Sequence, residues 1–417
     1  MKIAFKTLGC RLNQYETDAL AAQFKSNGYE VSEQEDQADV VVVNTCTVTN
    51  QSNHKSRYVI RHAGRINPSA KMIITGCMTE SHAGQLQNKF PDATIINNKG
   101  KSAIFHTVDS LVKGGNGDLS DKDHDLFSYQ SFSGMFHTRS LIKIQDGCDN
   151  FCTFCIIPFV RGRAVSRPVR QIIDNIEDVI AKGAKEIVLT GVNISRYESE
   201  GLKFSALVDK ILNLDGDFRL RISSIEPDRF DEHFFTLVGH PKLAPHLHLC
   251  LQSGSERILL QMRRMYSAKD FMTIVERIRS VNPNFNFTTD IIVGFPGETE
   301  EEFEESMAIA RQVGFGQIHI FKYSMRNNTR AERMAGHIDE KVKTQRSKRM
   351  HTLAEELSSA YRAAFDNTEQ RILVEKWNNG VASGYNDYYV PMEFDTDNQR
   401  RNRFELVKAR VMDFEIE

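Results

Sequence analysis

The 417-residue chain contains a single tryptophan and only ten prolines, and its apolar runs, such as Val40–Val43, fall far short of the roughly 20 residues a bilayer span needs. Its opening, MKIAFKTLGC, has no apolar leader segment and reads as a strand followed by a polar turn, so a cytoplasmic enzyme with no membrane association is expected. Net charge is nearly absent: 53 Lys and Arg face 55 Asp and Glu, a balance that singles out no partner. With 40% hydrophobic and 26% charged residues, disorder and fibrous folds are excluded and there is room for two or three domains. Cysteine is sparse and odd in number, seven in a long chain without a secretory signal, which disfavours a disulfide scaffold and favours metal or redox chemistry.

Charge is informative in its distribution. Between Val40 and Thr79 there is no acid, while Lys55, Arg57, Arg61, Arg65 and Lys71 are present; between Asn150 and Ile173 there is again none, while Arg161, Arg163, Arg167 and Arg170 are present. Solvated faces with distant acids would explain either window. Both windows, however, also contain cysteines.

Gly147-Cys148-Asp-Asn-Phe-Cys152-Thr-Phe-Cys155 sets three thiols on one short loop with C-x3-C-x2-C spacing. Structural zinc takes four ligands in separated pairs, so the triplet suits zinc poorly. It suits an iron–sulfur cubane with one iron left open to a small molecule. Three further cysteines, Cys10, Cys46 and Cys77, each follow an apolar strand and a tight turn, with separations of 36 and 31 residues that match βαβ units. Parallel strands would carry all three to one carboxyl edge, where open α/β sheets hold ligands, and form a second three-thiolate site. Cys250, in His246-Leu-His-Leu-Cys-Leu, reads as a buried structural thiol without a metal role.

The C-x3-C-x2-C loop with an aromatic residue before its last cysteine resembles the signature of the radical S-adenosylmethionine enzymes. Two cysteine triads in this order, with Ile156-Ile-Pro158, Arg161-Gly162 and Ser166-Arg167 after the second, resemble the methylthiotransferase branch over nearly the whole chain. The resemblance implies two 4Fe–4S clusters and S-adenosylmethionine, with cluster ligands Cys10, Cys46, Cys77, Cys148, Cys152 and Cys155 and no separate catalytic acid or base. Asn13 is a candidate for supporting the first triad. At the ends of the barrel strands, Gly191, Asn193, Ser224, Glu226 and Gln252 are expected around the ribose and methionine ends of the cofactor, and Phe154 and Val293 near its adenine.

Three substrates occur in the branch: isopentenyl-adenosine in tRNA, threonylcarbamoyl-adenosine in tRNA, and an aspartate of a ribosomal protein. Thr7-Leu-Gly-Cys10-Arg11-Leu12-Asn13 most resembles the threonylcarbamoyl-adenosine group, and the basic windows agree with RNA. The expected partners are the tRNA anticodon stem-loop and an electron donor such as a flavodoxin or ferredoxin, and the chain is expected to be a monomer. Arg161, Arg163, Arg167, Arg400, Arg401 and Arg403 are the expected RNA contacts, the last three beside Tyr385, Tyr388 and Tyr389. An RNA-binding scaffold that keeps its clusters for folding, or a radical methyltransferase, are rival readings.

The expected fold class is α/β in three parts. Residues 1–112 alternate strands and helices as a small doubly wound domain carrying the first triad. Residues 113–136, rich in Gly, Asp and Ser, read as a linker. Residues 137–366 contain six strand-like runs, Leu141–Ile144, Glu186–Leu189, Arg219–Ile225, His246–Gln252, Asn286–Val293 and Gln317–Tyr323, which fit the partial six-stranded radical barrel better than a closed barrel of eight. A Thr299/Glu302 capping box is expected to open one of the intervening helices. A trailing helix over Lys341–Phe365 begins with a crowd of basic residues that invites an external anion. Residues 367–417, with turns expected at Asn378-Asn-Gly380 and Ser383-Gly384, resemble the small RNA-binding β-barrel called TRAM.

Overall fold

The computed structural model describes residues 1–113, 125–129 and 138–412. Most of the linker expected over 113–136 lies outside the described residues, as do the last five residues of the chain. No helix among the described residues is long and apolar enough to cross a membrane.

Five parallel strands begin the fold: β1 Lys2–Thr7, β2 Glu30–Ser32, β3 Val40–Thr45, β4 Lys71–Gly76 and β5 Thr94–Ile95, in the order β2-β1-β3-β4-β5. Helices α1 Arg11–Ser26, α2 Asn50–Ile66 and α3 Cys77–Lys89 leave the carboxyl ends of β1, β3 and β4, and α4 Ile104–Val112 packs beside α1. The central strand is buried throughout and opens with four valines because both of its faces are covered. Val40 and Val42 pack with Ile3, Phe5, Leu20 and Phe24, whereas Val41 and Val43 pack with Ala4, Ile60, Ala63 and Ile74. This is the doubly wound arrangement expected, with each fully buried valine contributing about 1.5–3 kcal/mol.

The second part has strands β6 Ser140–Lys143, β7 Glu186–Thr190, β8 Arg219–Ile222, β9 Ser224–Ile225, β10 His246–Leu249, β11 Asn286–Val293 and β12 Gln317–Lys322, each parallel to its neighbour. They form two sheets, β8-β7-β6 and β9-β10-β11-β12. The run Arg219–Ile225, expected as one strand, is divided because the chain changes partner at Ser223, from β7 on one side to β10 on the other. β6 and β12 do not pair, so the six strand positions make an open barrel. Helices α5 Val169–Ala181, α6 Phe204–Leu212, α7 Ala268–Val281 and α8 Glu300–Val313 cover it, and the Thr299/Glu302 capping box is present at the start of α8.

Helix α9, Glu340–Ala363, adds Met350, Leu353 and Ala354 to the barrel core. Its basic start needs no external anion: Arg346 Nη1 lies 2.8 Å from Glu298 Oε2, and Arg349 pairs with Glu300 and Glu304. The compensating charge comes from Glu298 and from the first turns of α8, which is acidic there.

The chain ends in a closed antiparallel barrel of β13 Thr368–Asn378, β14 Val381–Asn386, β15 Pro391–Asp395 and β16 Phe404–Val411. Asn379 and Gly380, at φ 49° and 84°, make the expected hairpin turn. Gly384 does not turn; it lies within β14, where a Cβ would fall 1.8 Å from the Leu373 carbonyl oxygen, so glycine is needed there for strand approach.

Candidate active site: two cysteine triads

Cys10 caps α1, Cys46 directly follows β3, and Cys77 opens α3, so the first triad lies along the carboxyl edge of three neighbouring strands. The loops that carry it are tightly apposed. A Cβ on Gly9, at φ 96°, would lie 2.8 Å from Cys46 Cβ, and one on Gly76, at φ 97°, would lie 2.3 Å from the Thr45 carbonyl oxygen. Asn13 Nδ2 donates to the carbonyls of Leu8 at 2.7 Å and Thr45 at 3.1 Å, tying the Cys10 loop to the Cys46 loop. Burial pushes the Cys46 thiol up, and the charges of Cys77 and Cys10 raise it further.

The second triad occupies the loop after β6. Gly147, at φ 67°, has no room for a side chain, since a Cβ would fall 2.0 Å from the Arg163 carbonyl oxygen. The Asn150 amide points at Cys148 Sγ at 3.5 Å, Asn193 Nδ2 at the same sulfur at 4.0 Å, and Arg264 Nη1 at Cys152 Sγ at 3.3 Å. Burial, with Cys152 and Cys148 nearby, pushes the Cys155 thiol up to about 12. Each triad is a set of soft donors; at Cys46 and Cys155 burial and neighbouring thiols resist deprotonation, and a cation beside them relieves both. Such a donor set fits an iron–sulfur cluster.

The loops that carry the two triads are in contact. Cys77, Ile156 and Val160 form one buried apolar cluster, and Asn98 Nδ2 reaches both Cys77 Sγ at 3.8 Å and the Val160 carbonyl at 2.8 Å. Arg326, beyond β12, donates from Nε to the Val48 carbonyl at 3.1 Å, from Nη1 to Asn50 Oδ1 at 2.6 Å and from Nη2 to the Thr47 carbonyl, clamping the loop after Cys46 onto the barrel.

Of the residues expected around the cofactor, Gly191 allows close backbone approach, a Cβ there lying 2.9 Å from the Gln145 carbonyl oxygen. The amides of Val192 and Asn193 donate to Gln145 Oε1 at 3.0 and 2.8 Å. Glu226 pairs with Arg264, the guanidinium that also meets Cys152. Gln252 is buried in the left-handed region at φ 66° and its amide donates to the Asp290 carbonyl at 2.8 Å. Ser224 is exposed, Val293 is fully buried in the barrel core, and the Phe154 ring lies 6.4 Å from that of Phe295. Cys250 is buried, and its neighbour His248 already has partners on both nitrogens, Asp290 Oδ1 at 3.2 Å and Thr288 Oγ1 at 3.0 Å.

The expected RNA contacts divide. Arg163, Arg400 and Arg401 are exposed, the first paired with Asp149 at 2.6 Å. Arg403 is half-buried and held by Glu405 at 2.6 Å. Arg161 and Arg167 are buried and cannot meet a phosphate from solvent: Arg161 is enclosed by Glu16, Asp146 and Asn13, and Arg167 donates to Asn175 Oδ1 at 2.9 Å. Tyr385 and Tyr389 are likewise turned inward, stacked on each other at 4.8 Å with Arg139 over both rings, and Tyr389 OH accepts from Arg11 Nη2 at 3.3 Å. They join the terminal barrel to the rest of the protein. Glu16, Lys101, Lys143, Asp146, Arg264 and Arg326 escaped sequence reasoning. Only Asp146, two residues before Cys148, carried a local hint.

An open parallel barrel whose first strand runs into a three-thiol loop defines a radical S-adenosylmethionine enzyme. Residues 142–310 match the Radical SAM superfamily, and residues 2–97 match the family described as "Uncharacterized protein family UPF0004". Threonylcarbamoyladenosine tRNA methylthiotransferase MtaB of Thermotoga maritima is 37% identical, with 94% of this chain and 91% of that protein covered; its namesake in Chlamydia pneumoniae is 36% identical over 93% and 90%. The tRNA-2-methylthio-N(6)-dimethylallyladenosine synthase of Fusobacterium nucleatum is 34% identical over 92% and 91%. The structure of the radical methyltransferase TsrM from Kitasatospora setae shares the fold, with TM-score 0.57, 16% identity, and 77% and 74% of the two chains covered. The chain belongs to the methylthiotransferase family of radical S-adenosylmethionine enzymes. Membership implies a 4Fe–4S cluster and S-adenosylmethionine.

Proposed function

We propose that this enzyme inserts a methylthio group at C2 of threonylcarbamoyl-adenosine next to the anticodon of tRNA, with one 4Fe–4S cluster on Cys148, Cys152 and Cys155 and a second on Cys10, Cys46 and Cys77. The observation that supports this reading is the packing of Cys77 with Ile156 and Val160, which brings a cysteine of the first triad against the segment that follows Cys155. When bound, S-adenosylmethionine and the cluster beside it supply a hydrogen-abstracting 5′-deoxyadenosyl radical, and the second cluster holds the sulfur to be transferred.

The protein's own part is orientation. Gln145 holds the Val192–Asn193 turn, Arg264 links Glu226 to Cys152, and Asn13 and Arg326 hold the loops of the first triad. Helix α2 starts four residues past Cys46, contains no acid, and exposes Lys55, Tyr58, Arg61 and Arg65, a basic face for RNA; Arg163, Arg400 and Arg401, also exposed, are further RNA contacts in this reading. An electron donor of flavodoxin or ferredoxin type and a cytoplasmic monomer belong to the same reading, as do domain limits at 1–112, 137–366 and 367–417.

Two features favour the threonylcarbamoyl form. One is the Arg11-Leu12-Asn13 sequence after Cys10, and the other is the position of its arginine. Arg11 is half-buried, follows Cys10 directly and donates from Nη2 to Tyr389 OH at 3.3 Å, so a cation stands beside the first triad where a threonyl carboxylate, unlike an isopentenyl chain, would find a partner. Mass spectrometry of tRNA nucleosides tests the reading. Loss of the 2-methylthio form of threonylcarbamoyl-adenosine on deleting the gene, and its return on restoring it, is expected. An unaffected nucleoside would overturn the substrate and turn attention to the isopentenyl form or the ribosomal-protein aspartate.

A further inference from the structure

Arg161 follows the short helix Ile157–Val160 that leaves Cys155, and its side chain is 2% exposed. Its Nη1 lies 3.0 Å from both Glu16 Oε1 and Asp146 Oδ1, and its Nη2 lies 2.7 Å from Asn13 Oδ1 and 3.1 Å from Glu16 Oε2. Glu16 and Asn13 belong to α1, the helix capped by Cys10, and Asp146 precedes Cys148 by two residues. One guanidinium thus bridges the elements that carry the two triads.

The same carboxylates have other partners. Lys101 Nζ is 2.5 Å from Glu16 Oε2, and Lys143 Nζ is 3.0 Å from Glu16 Oε1 and 2.6 Å from Asp146 Oδ2, with all five side chains at most 4% exposed. Three cations therefore face two carboxylates, leaving one buried positive charge without an anion. An unmatched buried charge costs several kcal/mol, so a further anion nearby is expected. Arg161 also keeps a buried Nε with no hydrogen-bond partner, and its charge is felt by both Cys10 and Cys77. A cubane core bearing two positive charges and three thiolates has one net negative charge when oxidised and two when reduced.

We propose that Arg161 is a positioning residue whose surplus charge, held by Glu16 and Asp146, matches the cluster on Cys10, Cys46 and Cys77 and raises its reduction potential. The proposal rests on the two-cluster reading above. Arg161→Gln leaves two lysines against two carboxylates, a balanced network that retains the fold, and Arg161→Lys returns the charge. The test is an EPR-monitored redox titration of the reconstituted full chain with Cys148, Cys152 and Cys155 replaced by alanine, so that only the first triad can hold iron. The expected result is a lower potential in the Arg161→Gln background, largely restored by Arg161→Lys; loss of the cluster in Arg161→Gln with retention in Arg161→Lys supports the same role. An unchanged potential with the cluster retained overturns the proposal, as does equal loss of iron in both variants. Absence of iron before Arg161 is altered overturns the two-cluster reading instead.

Discussion

Cys77 packs against Ile156, the residue next to Cys155, so a thiol of the first triad and the loop of the second share one side of a buried apolar cluster. This packing joins the loops that carry the two triads. Truncating Ile156→Ala removes one of its three buried side chains and is expected to cost about 2–5 kcal/mol. Urea denaturation of the apoprotein measures it, and a loss below about 1 kcal/mol would show that the wall does not hold the halves together.

Gly147→Ala is expected to strip iron from the second triad alone. The added Cβ meets the Arg163 carbonyl, and the positive φ disfavours alanine, so the loop must move off its sulfur geometry. Iron analysis of the variant checks this; full iron content with normal cleavage of S-adenosylmethionine would contradict it.

Asp18 makes stability depend on pH. Burial, assisted by Glu33, pushes its carboxyl up to about 7, above the roughly 3.9 of an unfolded chain. The protonated form therefore favours the fold, an advantage complete below about pH 4 and lost as pH rises to 7. At about 1.4 kcal/mol per pH unit the loss is on the order of 4 kcal/mol. Asp18→Asn removes the ionisation, so its Tm should exceed wild type at pH 8 and equal it at pH 4. The same Tm difference at both pH values would contradict the assignment.

The acid-free helix α2 gives a salt-dependent prediction. Replacing Lys55, Arg61 and Arg65 together by alanine should weaken tRNA binding and lower the slope of log affinity against log salt by about 0.7–0.9 for each phosphate no longer neutralised. Filter binding at several salt concentrations checks it, with unchanged slope excluding this face.

What the sequence disclosed depended on how local each cause is. Cys10, Cys46 and Cys77 were legible because a strand, a turn and a βαβ repeat are local, and Thr299/Glu302 because a capping box spans four residues. Arg161 and Arg167 read as surface cations because the acid-free window around them shows no partner. Glu16, the partner of Arg161, is 145 residues away, a relation only the folded chain creates. Tyr385 and Tyr389 have the composition of a stacking face, yet Arg139 and Arg11 recruit them to an internal junction. The division of β8 from β9 at Ser223 has no signal either, since both halves are strand by pattern and only the choice of neighbour differs.

The central claim is that Cys10, Cys46 and Cys77 hold a second cluster required for sulfur transfer. The most direct measurement compares wild type with the variant in which all three are alanine, reading iron content by Mössbauer spectroscopy and products by mass spectrometry. The account predicts half the iron, continued cleavage of S-adenosylmethionine to 5′-deoxyadenosine, and no methylthiolated nucleoside. Undiminished iron, or methylthiolated nucleoside formed by the variant, would contradict it.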